Sequence, residues 1–115
     1  MALHRLIVLT NALDNRDEEF NRWYTDKHLD DVLDTPTFVS AQRFELSGEV
    51  KEGDQKWKYL AIYDVETDDV EKSLKDLLDR AGTDAMPLID CLDLEGAHAN
   101  FYRPVTELVK AKPKA

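Results

Sequence analysis

Apolar positions along the chain switch between two spacings, and the switches outline the fold. Positions 3–12 contain the unbroken run Leu6-Ile-Val-Leu9, which predicts a strand buried on both faces. Beyond Asn15 the spacing lengthens. Phe20, Tyr24 and His28 recur at i, i+4 and i+8, so they share one stripe of a helix predicted over 16–28, with an irregular continuation to Leu33. Asn15-x-x-Glu18 has capping-box form, and Asp17, Glu18 and Glu19 place acid where the helix dipole favours it. Thr35-Pro36 ends the segment.

Strands follow at 38–47 and 56–65, joined by a charged loop that contains Gly53. On the second of these, Leu60 and Ile62 lie on one face and Trp57, Tyr59 and Tyr63 on the other. Thr67-Asp-Asp starts a second helix at 68–81, with Val70, Leu74, Leu77, Leu78 and Ala81 as its core stripe and Gly82 at its end. Residues 85–91 form an irregular apolar segment, and a last strand spans 94–103, interrupted by Gly96. The order is βαββαβ. It predicts an α+β, ferredoxin-like fold: a four-stranded antiparallel sheet with two helices on one face. The domain is placed at 1–108, with a flexible basic tail at 109–115. Both faces of the strands carry large side chains, so the uncovered sheet face needs a cover. A second copy, sheet against sheet, supplies one and predicts a homodimer.

Composition narrows the function. The chain has 115 residues and a net charge of −9, enough for one core in one domain. That charge argues against nucleic-acid and anionic-membrane partners. Cys91 is the single cysteine, so no intrachain disulfide or thiolate cluster forms, as suits the cytoplasm. No apolar run reaches membrane-spanning length, and the first fifteen residues do not match a secretory signal. Glycine-rich phosphate loops and nucleophile elbows are absent from the sequence. Asp26, Asp30 and Asp31 do not share a face with His28, so no metal is expected there.

The candidate chemistry centres on His28. The aromatic stripe of its helix ends in an imidazole, at the predicted edge of a polar cavity. The same residue also suits capping of helix-end carbonyls. Tyr24 and Tyr63 are candidate oxyanion donors, and Arg43 is a candidate clamp for a carboxylate or enolate. Trp23, Trp57, His98 and Tyr102 are candidate ligand contacts. Each of these has a packing alternative, in the core, at a sheet edge or at a dimer seam.

Phe20-x-x-Trp23-Tyr24-x-x-x-His28-Leu29, followed by Pro36 and the strand Phe38-Val-Ser-Ala-Gln-Arg-Phe44, resembles the dimeric α+β-barrel superfamily. The resemblance is to its EthD-like branch, named for ethyl tert-butyl ether degradation. It implies a homodimer with a ligand cavity in each protomer. The superfamily includes lactone isomerases, polyketide cyclases, cofactor-independent oxygenases, haem enzymes and accessory proteins, so the fold does not select a reaction. The lactone isomerases carry a helix-one histidine that maps onto His28. They also carry a second-strand tyrosine where this chain has Phe44. The resemblance and the missing motifs together imply cofactor-free acid/base chemistry on an aromatic or lactone-like carbonyl compound. A non-catalytic ligand-binding or accessory protein is the alternative, and a haem protein a further one.

Overall fold

The computed structural model describes residues 1–114. Its elements are β1 (Leu3–Thr10), α1 (Asp17–Trp23), a π-helical turn (Tyr24–His28), α2 (Leu29–Leu33), β2 (Phe38–Glu45), β3 (Tyr59–Glu66), α3 (Val70–Arg80) and β4 (His98–Tyr102). The sheet is fully antiparallel in the order β2-β3-β1-β4. This is the ferredoxin-like arrangement, with β1 and β3 as the central pair and the first helical rod crossing from β1 to β2. The α1–π–α2 rod runs unbroken from Asp17 to Leu33.

Strand alternation sorts the side chains. Tyr59, Ala61, Tyr63 and Val65 of β3 are buried on the helical side. Leu6 pairs with Tyr63 in the register and joins them, while Phe20 and Tyr24 close over the layer from the rod. The opposite face holds the pairs Ile7–Ile62 and Leu9–Leu60, together with Phe44 opposite Leu60. An Arg5–Asp64 ion pair at 2.9 Å lies on the same face.

Several boundaries differ from the sequence expectation, each for a local reason. The third strand begins at Tyr59 rather than at 56. The Asn11 side chain takes the ladder's place there, donating to Lys56 O and accepting from Lys58 N, both at 2.8 Å. Trp57 therefore lies outside the strand. The last strand begins at His98 rather than 94, because Gly96 N donates to Asp93 Oδ1 and closes a turn. The capping box at Asn15 does not form. Asp14 and Asn15 both take positive φ, 58° and 57°, the left-handed conformation that their side chains tolerate best. Arg16 occupies the cap position without a side-chain bond to the helix backbone.

The start of α3 follows its sequence signal. The Asp69 carboxylate accepts from Lys72 N at 3.1 Å, and Gly82, at φ 80°, makes the reversal beyond the helix. The core stripe of α3 departs from expectation. Ser73 is its one buried residue, while Leu74 and Leu78 are 40% and 62% exposed. Two polar contacts hold the helix: Ser73 Oγ lies 2.7 Å from Thr37 Oγ1, and Arg80 Nη2 donates to Asp31 O at 2.8 Å. Between these points Leu77 packs against the core cluster, while Leu74 and Leu78 turn outward.

Asp69→Ala removes the one side-chain cap of this thinly held helix. It is expected to cost about 1 kcal/mol in a urea unfolding titration.

Candidate functional site

A cavity of about 170 Å³ fills the gap between α3, the rod and the sheet. Its wall is apolar: Leu6, Val8, Val32, Leu77, Met86 and Leu92 are representative. Thr10, Tyr24, His28 and Tyr63 bring the polar side-chain atoms to it. The cavity is thus apolar with a small polar end, where the sequence suggested a polar one. Leu78 and Leu94 line its mouth and are largely exposed.

The π-turn sets the polar end. Bonds of the i→i+5 kind widen the turn and bring residue i+5 beneath residue i. Trp23 and His28 are so related, and their rings stack with centroids 4.5 Å apart and planes 22° from parallel. Tyr24 meets the same imidazole edge-on at 4.7 Å. The ring is therefore fixed by aromatic packing and makes no hydrogen bond among the described residues. His28 is 8% exposed, and its Nδ1 is enclosed without a partner. Burial pushes its pKa down to about 4; Arg43 and Lys27 push the same way, and Asp31 opposes them. His28 is neutral at pH 7. An enclosed, unpaired ring nitrogen costs about 1–3 kcal/mol.

The two phenols lie beside it. The Tyr63 hydroxyl donates to the Tyr24 oxygen at 3.0 Å. This leaves the Tyr24 proton without an acceptor among the described residues. Burial raises both pKa values, so both phenols stay protonated and act as donors.

Arg43 stands behind Tyr24 and outside the cavity wall. Its guanidinium carbon lies 4.5 Å from the Tyr24 ring centroid and 5.5 Å from that of Tyr59. It also donates to Asn21 Oδ1 at 2.8 Å and Thr25 Oγ1 at 3.0 Å. In this position it clamps β2 to α1, and its charge draws electron density from the Tyr24 ring, which strengthens Tyr24 O–H as a donor.

The remaining candidates scatter. Trp23 supports His28 from outside the wall. Trp57 donates its indole N–H to Gly96 O at 2.7 Å and meets His98 at 4.7 Å, away from the cavity. Tyr102 lies on the opposite sheet face. Phe44 also lies there, so a phenol at that position would not share a cavity with His28. Leu77, Leu88, Leu92 and Ala99 line the cavity without having been singled out as ligand contacts. Leu77 belongs to the predicted core stripe of α3, Leu88 to the unplaced apolar segment at 85–91, and Ala99 to the small residues around His98, while Leu92 carries no signal. Glu19, Asp90 and Cys91 bring three metal-type ligand atoms together. The Arg16 guanidinium already neutralises this group, at 2.7 Å from Glu19 and 2.9 Å from Asp90.

No family model matches the chain, and a sequence search finds no match among curated proteins. Solved structures do match. A protein of Shewanella loihica PV-4, provisionally assigned as a monooxygenase, aligns with a TM-score of 0.59 at 16% identity, covering 91% of this chain and 96% of its own. An ethyl tert-butyl ether degradation family protein of Bacillus halodurans C-125 aligns with a TM-score of 0.50 at 15% identity, covering 90% and 99%. The protomer shares the ferredoxin-like α+β fold of these two proteins. At these identities the likeness is one of fold.

The depressed pKa of His28 has a stability consequence. As pH falls below 6.5 the unfolded chain protonates this residue, while the folded chain resists until about pH 4. Folding stability drops through that window and levels off below it, by up to about 3 kcal/mol from this group. In His28→Asn this contribution disappears. Denaturant titrations at pH 7 and pH 4.5 should show a smaller pH loss in the variant than in the wild type. Equal losses would contradict a buried neutral His28.

Proposed function

We propose that this protein acts on a small, uncharged carbonyl compound, bound in the cavity with its oxygen toward His28, Tyr24 and Tyr63. The observation that carries the reading is the enclosed, unpartnered imidazole at the polar end of an apolar cavity. A ligand hydrogen-bonded to the ring gives the imidazole the polar partner that the described residues do not supply. The cavity's 170 Å³ lies below the range of drug-sized sites and near that of an apolar cavity that admits benzene. A single-ring or lactone-sized molecule fits this space. A haem macrocycle does not, and no chemistry is assigned through one. No cation lines the wall, so a carboxylate would be bound at a desolvation penalty.

The chemistry follows from the protonation states. Neutral His28 accepts a proton from carbon next to the carbonyl. The C–H electron pair moves toward the carbonyl oxygen, which the Tyr24 O–H meets as negative charge develops. Return of the proton from imidazolium to a second carbon completes an isomerisation without a cofactor. Tyr63 orients Tyr24 through their shared hydrogen bond, and Arg43 polarises it from behind. A pKa of about 4 makes His28 a weak base, and this favours a second reading: an accessory protein that binds the same ligand without turning it over.

A panel of one-ring lactones and enones, each beside its carboxylate form, discriminates among these readings by thermal shift. Neutral members are expected to raise the melting temperature and the carboxylates to leave it unchanged. For any member that is converted, His28→Asn should lower kcat about 10²–10⁴-fold with little change in binding. The wild-type rate should stay flat from pH 5.5 to 8, because the free protein's His28 is unprotonated throughout. Binding of the neutral members with turnover of none selects the accessory reading, and equal turnover in His28→Asn overturns His28 as the base. Ala99→Phe, at the open side of the cavity, should abolish binding without loss of stability.

We further infer that the protein is a homodimer built on the outer sheet face. Ile7, Leu9, Leu60, Ile62 and Phe44 form an apolar patch there that the protomer leaves uncovered. No helix of the described residues is long and apolar enough to cross a membrane. An obligate-type interface of this kind buries above about 1,500 Å² in total.

A further inference from the structure

The segment that follows β4 is extended and carries apolar side chains that its own chain does not cover. Val105, Leu108 and Val109 are 91%, 85% and 82% exposed. A polar tail needs no cover, but three large aliphatic residues within five positions do. The segment also stands away from its own sheet. A cleft of about 590 Å³ separates residues 103–109 from Leu3, Arg5 and Tyr102, and those three belong to the outer face, where Leu3 and Arg5 lie opposite Glu66 and Asp64. The separation shows in the overall dimensions. The radius of gyration is 15.7 Å, against about 13 Å for a compact chain of this length.

We propose that this segment is an exchange arm. In the dimer inferred above, on which this proposal rests, each copy's residues 104–109 cross to the second copy. Val105, Leu108 and Val109 pack there on the outer sheet face, beside Leu3, Ile7 and Ile62. The occupant is a second copy of this chain because the two uncovered surfaces complement each other and belong to one molecule. A two-fold axis then satisfies both arms and both sheet faces at once. Charge agrees. Lys110, Lys112 and Lys114 follow the apolar residues, on a chain whose net charge is −9, so the basic end of each arm is drawn to an acidic partner body. The cleft between each arm and its own sheet is the slot that receives the partner.

Two measurements on the full-length protein test the arm. Sedimentation equilibrium compares the wild type with Val105→Ser/Leu108→Ser, positions too exposed to matter for protomer folding. The variant is expected to weaken dimerisation by about 10²-fold or more, from the apolar burial lost on both arms. In the second measurement, a photoreactive benzophenone side chain at position 108 should give a product of twice the protomer mass, cross-linked to peptides of β1 or β3. A wild-type protein that is monomeric at micromolar concentration overturns the dimer and the arm with it. A wild-type dimer whose affinity the double variant leaves unchanged overturns the arm alone. So does a cross-link confined within one chain or made to an unrelated protein.

Discussion

The contact between the helical rod and the sheet at Tyr24 governs the rest of the molecule. On one side of this ring lies the Arg43 guanidinium, which ties the rod to β2. At its hydroxyl stands Tyr63, in the middle of β3. Along the rod, Phe20 precedes it and His28 follows one π-turn later. Removing the ring would unseat the clamp, the hydrogen bond and the imidazole together. Two strands and the rod therefore meet at one aromatic side chain, and the polar end of the cavity inherits its geometry from that junction.

The parts of this arrangement that depend on spacing were legible in the sequence. Phe20, Tyr24 and His28 face inward because four-residue spacing places them on one stripe, and Tyr63 faces them because strand alternation puts it beside Ala61 and Val65. What spacing does not encode was not legible. The π-turn changes which residues stack, and no apolar pattern distinguishes Trp23 over His28 from Trp23 in solvent. Arg43 reads as a ligand clamp or an edge ion pair, yet it spends its charge on aromatic faces. Asn15 has the chemistry of a cap, but its left-handed backbone forbids that role. The aliphatic stripe of α3 is real in sequence. It faces a cavity mouth rather than a packed core, because Ser73 and Arg80 fix where the helix sits.

The uncovered sheet face and the segment after β4 follow the same logic. Each is apolar where a free protomer should be polar, and on the sheet this follows from strand alternation continued past what the rod and α3 can cover. The folds of the two solved neighbours extend over nearly this whole chain.

The thin attachment of α3 also bears on ligand exchange. A helix held by two polar contacts and one half-buried leucine, Leu77, opens at a lower free energy than the sheet beneath it. Such an opening exposes the cavity while the aromatic junction at Tyr24 stays intact. The cavity already opens between Leu78 and Leu94, so the motion of α3 would set how wide that mouth becomes, and with it the largest molecule that could pass.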